Sequence, residues 1–91
     1  MEILHDQNKN KFYLKDSEEI GYLVYSYMDR NKISLDSTWI EEEYRGENLG
    51  SLLVEALVTF SRENNIKIVP VCSFAKKIFN ENLSEYKDVL K

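Results

Sequence analysis

The chain has 91 residues, 43% hydrophobic and 31% charged, enough for one core and too few for two, so any binding site must share its elements with that core. Sixteen acidic against twelve basic side chains leave a net charge of -4, which argues against a nucleic-acid-binding surface and mildly favours a small cationic partner. The only cysteine is Cys72, so neither an internal disulfide nor a cysteine-built metal cluster can form; a reducing, cytoplasmic setting fits.

No apolar run approaches the ~20 residues of a bilayer span. The start, Met1-Glu2-Ile3-Leu4-His5-Asp6, lacks the basic and apolar parts of a signal peptide, so a complete, soluble chain is expected. His5 precedes any clear core element and reads as surface. Residues 11–15, 20–28 and 32–40 are strand-like, separated by polar turns at 16–19 and 29–31, which predicts an antiparallel meander. In the second segment Ile20, Tyr22, Val24 and Met28 alternate with Leu23, Tyr25 and Tyr27; both faces are apolar, so both are expected to be covered.

From Leu49 the period changes. Leu49, Leu52, Leu53, Ala56, Leu57 and Phe60 fall at helical spacing, predicting an amphipathic helix that ends near Asn64 and Asn65. The run 66–71 then reads as a buried strand, with Pro70 breaking its pairing. Strand, helix and strand at this spacing make a crossover, placing residues 33–40 and 66–69 parallel in one sheet. A short helix follows from Ser73, near its cap, to about Asn80, with Phe74, Ile78 and Phe79 inward. Residues 81–91 read as a polar tail, with a helical turn around Tyr86 to Leu90. A single mixed α/β (α+β) domain over residues 1–91 is predicted.

The informative stretch is the corner Tyr44-Arg45-Gly46-Glu47-Asn48-Leu49-Gly50 between a strand and a helix. The first amides of a helix lack internal partners, and the aligned peptide dipoles place partial positive charge there, so a phosphate can serve as their acceptor. Glycine allows close approach to the backbone, Asn48 tolerates a positive φ, and Arg45 adds a fixed charge.

These residues resemble the GNAT superfamily of acyl-coenzyme A-dependent N-acetyltransferases, whose loop reads Arg/Gln-x-x-Gly-x-Gly/Ala; Arg45 and Gly50 match its ends. The short, single-domain N-acetyltransferase-like branch is closer still, with a Tyr/Leu-Arg-Gly loop, a helix and a Val-x-Pro-x-Cys strand end, here Val69-Pro70-Val71-Cys72 preceded by Ile68. The resemblance implies a sheet splayed where its antiparallel and parallel parts meet, with the pantetheine arm of acetyl-CoA in the gap. Backbone groups near Trp39 and Ile40 would bind the arm, and the amides of Arg45, Gly46, Glu47, Asn48, Leu49, Gly50 and Ser51 the pyrophosphate. An amine, from a small molecule or a peptide, would attack the thioester directly.

Two departures accompany it. Asn48 stands in place of the middle glycine, and Phe79 occupies the position where many members carry a tyrosine that protonates the departing thiolate; a phenyl ring has no proton to give. Cys72, at a strand end before a helix, is the candidate to fill that gap as acid, acyl acceptor or coenzyme disulfide partner, against the alternative of a buried inert thiol. Glu41, first of Glu41-Glu42-Glu43, is the candidate base, against a plain solvated run. Lys76 and Lys77 are placed to meet a 3′-phosphate or to stay in solvent, and no metal site is expected. The reading is an N-acetyltransferase acting on an unidentified amine; a non-catalytic acyl-CoA sensor or carrier and a ligand-free scaffold are the alternatives. Oligomeric state stays open.

Overall fold

The computed structural model describes every residue, Met1–Lys91. Strands β1 (Glu2–Asp6), β2 (Lys11–Asp16), β3 (Glu18–Asp29) and β4 (Lys32–Ile40) lead through a 3-10 turn (Glu42–Tyr44) to helix α1 (Leu49–Glu63), strand β5 (Lys67–Pro70) and helices α2 (Ser73–Glu81) and α3 (Leu83–Tyr86). The five strands form one sheet in the order β1-β2-β3-β4-β5. Pairs β1–β2, β2–β3 and β3–β4 are antiparallel, and β4–β5 is parallel, joined by α1 as crossover. The meander, the crossover and the mixed sheet are those predicted.

The helices lie over one face of this sheet. The buried pairs in register, Phe12 with Leu23, Leu14 with Gly21, Tyr25 with Leu35 and Ile33 with Ile68, belong to that face. Tyr13, Tyr22 and Trp39, in register on the opposite face, stay half-buried or exposed. The expectation that both faces of β3 are covered is therefore corrected: two layers are present, and the shortest dimension is 19 Å. Ile20 shares the sequence parity of Tyr22 yet is buried, because a register shift opposite Leu14 and Lys15 turns it to the helix side.

Helix α1 buries Leu49, Leu53, Val54, Leu57, Val58 and Ser61, a stripe rotated from the predicted one. Leu52 is exposed, and Ala56 and Phe60 are only half-buried, because α2 packs against α1 as well as β4 and β5 and draws the Val54–Val58 side inward. The helix ends at Asn64, and Asn65 takes a positive φ of 54°, the termination the two asparagines predicted. At α2 the cap is Cys72 rather than Ser73: its Sγ accepts the Ala75 amide at 3.4 Å.

Both ends of the chain are more structured than predicted. Residues 81–91 are not a free polar tail, since Tyr86 and Val89 are buried, Leu90 bridges to Ile68, and Arg62 holds Asp88 at 2.8 Å. The helical turn spans Leu83–Tyr86, earlier than the predicted position. Strand β1 was unforeseen, and with it the role of His5. Its ring stacks on Phe12 at 3.8 Å and meets the edge of Phe60 at 4.6 Å, while Nε2 lies 2.7 Å from the Tyr25 hydroxyl. Burial pushes the Tyr25 phenol up to about 12, so the phenol stays protonated beside the imidazole.

Burial lowers the His5 pKa from its ordinary value, against a weaker opposing effect of Asp6. The unfolded chain therefore binds a proton more readily than the folded one in the window just below pH ~6.5, and stability falls as pH drops through it. Thermal melts from pH 7.5 to 5.5 should show a falling midpoint whose slope shrinks in His5→Gln; an unchanged slope would remove His5 as the cause.

Candidate functional site

The parallel ladder stops early. Strand β4 pairs with β5 from Lys32–Lys67 to Leu35–Pro70, while its pairing with β3 continues to Ile40–Gly21. Beyond Leu35 the β5-facing edge of β4 is open over residues 36–40, about 13 Å at the usual rise per residue. Val71 and Cys72 both donate their amides to the Leu35 carbonyl, at 3.0 and 3.4 Å, and the chain then turns into α2. The Ile40 carbonyl faces the opened edge and accepts Arg45 Nε at 2.8 Å.

At the mouth of this fork lies a cavity of about 450 Å³. Of the predicted binding residues, Trp39, Ile40, Arg45, Gly46, Asn48, Leu49, Gly50 and Ser51 line it; Glu47, Glu41 and Cys72 do not. Unforeseen wall residues are Thr38, Tyr44, Phe74, Ile78 and Glu81, and Lys77 is the lysine of its pair that reaches the cavity. A more open concavity of about 650 Å³ lies between β1 and α1, walled by His5, Phe12, Tyr27 and Phe60.

The start of α1 has no cap. Asn48 precedes the helix at φ 60°, its side chain bonds no backbone amide, and Gly46 has φ 87°. The amides of Gly46, Glu47, Asn48, Leu49, Gly50 and Ser51 donate to no protein acceptor. Gly46 and Asn48 take left-handed conformations, and all of these residues but Glu47 line the cavity, an arrangement of free donors suited to an anion. Nothing lies within 4 Å of where a Gly46 side chain would start, so that approach is open.

Gly50 has a different role from the predicted one. A Cβ there would sit 2.6 Å from the Phe74 ring, so the missing side chain admits an aromatic ring rather than a phosphate. Phe74 accordingly is 37% exposed in the cavity wall, not turned into the core as expected. The Tyr44 phenol is pushed above its usual pKa by burial, then by Asp16, Glu43, Glu41 and Glu47, and remains neutral in the cavity wall.

Cys72 and Thr38 meet at the inner end of the fork, Sγ and Oγ1 being 3.9 Å apart. Glu41 starts the 3-10 turn, with its amide on the Ile20 carbonyl at 2.8 Å, away from Cys72. The Phe79 ring is buried 5.5 Å from that of Tyr86. The Tyr86 phenol, raised by burial and by Glu85 and Glu55, lies near α1 and the C-terminal segment and does not take the place of the missing tyrosine.

Comparison with known proteins decides the family. Residues 11–89 match the model of the GCN5-related N-acetyl-transferases. The chain belongs to that family. The solution structure of a GCN5-like protein from Staphylococcus aureus superposes with a TM-score of 0.81 at 37% identity, covering 99% of this chain and 87% of that one. Protein NATD1 of Homo sapiens is 27% identical over 90 residues, 96% of this chain and 80% of its own length. A GNAT family acetyltransferase from Elizabethkingia anophelis, solved with acetyl-CoA bound, shares the fold at a TM-score of 0.64 and 14% identity, covering 80% of this chain and 51% of that one.

The small separation at Gly50 makes a concrete prediction for this GNAT domain. In Gly50→Ala the partly exposed Phe74 ring must swing away, so the melting temperature should fall by only a few degrees, about 1 kcal/mol or less, while the Phe74 ring resonances shift strongly. Unmoved Phe74 resonances in a folded variant would contradict the contact.

Proposed function

We propose that the chain is an acetyl-CoA-dependent N-acetyltransferase acting on an amine. The observation that carries this reading is the uncapped start of α1, with unpartnered amides from Gly46 to Ser51 at one end of a fork whose other end holds Cys72. Family membership and the acetyl-CoA bound to the Elizabethkingia anophelis protein support it.

Acetyl-CoA supplies the activated acyl group as a thioester. The amides of residues 46–51 and the Arg45 guanidinium hold its pyrophosphate, with helix α1 aligned on the negative charge. Lys77, in the same cavity wall, meets the 3′-phosphate. Backbone groups of Thr38 and Ile40 on the open edge of β4 bind the arm as a missing strand would. The arm would thus run towards Thr38 and Cys72; there the acceptor, having released any extra proton to solvent, would form the C–N bond as the thioester C–S bond breaks, with the Cys72 thiol giving its proton to the departing thiolate and regaining one from the acylated nitrogen. Neither Glu41 nor Cys72 lines the cavity; Cys72 stands beside Thr38 at the inner end of the fork while the Glu41 amide is held on the Ile20 carbonyl, so Glu41 is limited to a proton path through water.

Calorimetric titration of the reduced protein with acetyl-CoA tests the binding half. Arg45→Glu should weaken affinity about 10- to 100-fold, the loss of charge-assisted hydrogen bonds plus a repulsive charge, and dephospho-CoA should bind less tightly than coenzyme A. Folded wild-type protein that does not bind acetyl-CoA would overturn the reading.

The chemical half rests on Cys72. Cys72→Ala should lower the rate of free-thiol release in the presence of primary amines by about 100-fold and leave acetyl-CoA affinity within about twofold. If the wild type binds acetyl-CoA and releases no thiol with any amine, the buried Phe79 in the tyrosine's place favours the acyl-CoA sensor or carrier instead. An unchanged rate in the variant would remove Cys72 from the chemistry and keep the rest.

A further inference from the structure

The vertex of the fork holds a carboxylate with no part in the reading above. Asp36 follows directly after Leu35, the last residue of β4 paired to β5. It is also the unpaired residue of a bulge, since Val24 pairs with Ser37 and Tyr25 with Leu35. Its two oxygens accept the hydroxyls of Ser26 and Ser34, the latter at 2.6 Å. Those serines face each other across β3 and β4, between the buried pair Tyr25–Leu35 and the pair Tyr27–Ile33 of the helix side, so the carboxylate lies on the face that no helix covers.

Carboxylates withdrawn from water hold a cation or hydrogen-bond donors; half-buried Asp36 holds two hydroxyls and no cation. Here the protein's ion pairs are Lys11–Glu19, Lys32–Asp29 and Arg62–Asp88, and none reaches Asp36. Two hydroxyl donors fix its orientation and leave further lone pairs free to accept. Its peptide neighbour Leu35 holds the Cys72 amide, so this unpaired negative charge stands beside the vertex of the fork, on the face of the sheet opposite the cavity.

We infer that Asp36 anchors the ammonium group of the acceptor, so that the acceptor is an amine cationic at neutral pH that approaches across the helix-free face. The inference rests on the acetyl-CoA reading for which end of the groove is reactive. The bulge aims the carboxylate, the serines hold it, and the net charge of -4 favours arrival of a cation. A charge-assisted hydrogen bond then discriminates a cationic amine from an uncharged molecule of the same shape.

The test is an NMR titration of isotope-labelled protein, with and without coenzyme A, using Nα-acetyl-lysine amide as probe and Nα-acetyl-norleucine amide as its uncharged counterpart. The lysine probe should shift the amides of Ser26, Ser34, Asp36 and Ser37 saturably, and the norleucine probe should not. Asp36→Asn, which keeps the size and a hydrogen bond to serine, should weaken the lysine probe about tenfold or more while acetyl-CoA affinity stays within about twofold. Equal response to the two probes in the wild type, an undiminished response in the variant, or no response at these amides overturns the inference. The wild-type comparison decides it even where the variant fails to fold. Failure of coenzyme A to bind counts against the reading of the groove instead, and the titration without coenzyme still decides Asp36.

Discussion

Pro70 ends the pairing between β4 and β5, and the geometry of the groove depends on that stop. Proline has no N–H to extend a ladder, and the next two amides, of Val71 and Cys72, converge on one carbonyl, that of Leu35, instead of advancing along β4. The chain then leaves the sheet with Cys72 capping α2. Because β3 continues to hold β4 past the bulge at Asp36 as far as Ile40, β4 stays in the sheet while β5 departs, and the gap between them opens from Leu35 onward. The corner from Glu41 to Asn48 then places the start of α1 at the far end of that gap.

Charge poses a problem that backbone geometry resolves. A domain of net charge -4, with Glu41, Glu42, Glu43 and Glu47 around its loop, is a poor attractor for a polyanion at long range. Within a few ångströms the balance reverses, because Gly46 to Ser51 offer unpartnered amides backed by the helix dipole, and Arg45 stands beside them. Screening at physiological salt acts over ~8 Å, which weakens the distant repulsion more than the contacts. On the proposed reading the same acidity would act in the other direction on a cationic acceptor, so that one charge distribution would serve two ligands of opposite sign.

Much of this was legible in residue order, for identifiable reasons. Strands β2 to β5 and helix α1 have runs long enough for their periods to declare them, and Pro70, Gly46 and the Asn64–Asn65 pair mark the corners. Strand β1 was missed because five residues bearing two aliphatic side chains show no usable alternation, and His5 with it, since its partners Phe12, Tyr25 and Phe60 come from three other elements. Gly50 was assigned to phosphate approach because its spacing matches a loop motif; that it accommodates Phe74 depends on how α2 docks. Asp36 gave no signal, because a bulge is a matter of register between strands and one aspartate in a strand looks like any other polar residue. Glu41 attracted notice as part of a charge run, and a 3-10 turn of three residues carries it away from Cys72.

The C-terminal segment also changes what the outside of the sheet can do. Ile68 gives its amide to the Val89 carbonyl and its carbonyl to the Lys91 amide, while Arg62 and Lys67 hold Asp88 from either side. These contacts occupy the outer border of β5 with the protein's own backbone, so the unpaired borders of the sheet are that of β1 and the run 36–40 of β4 at the fork. Each is only about five residues long, a short template that gives little purchase to open-ended strand addition.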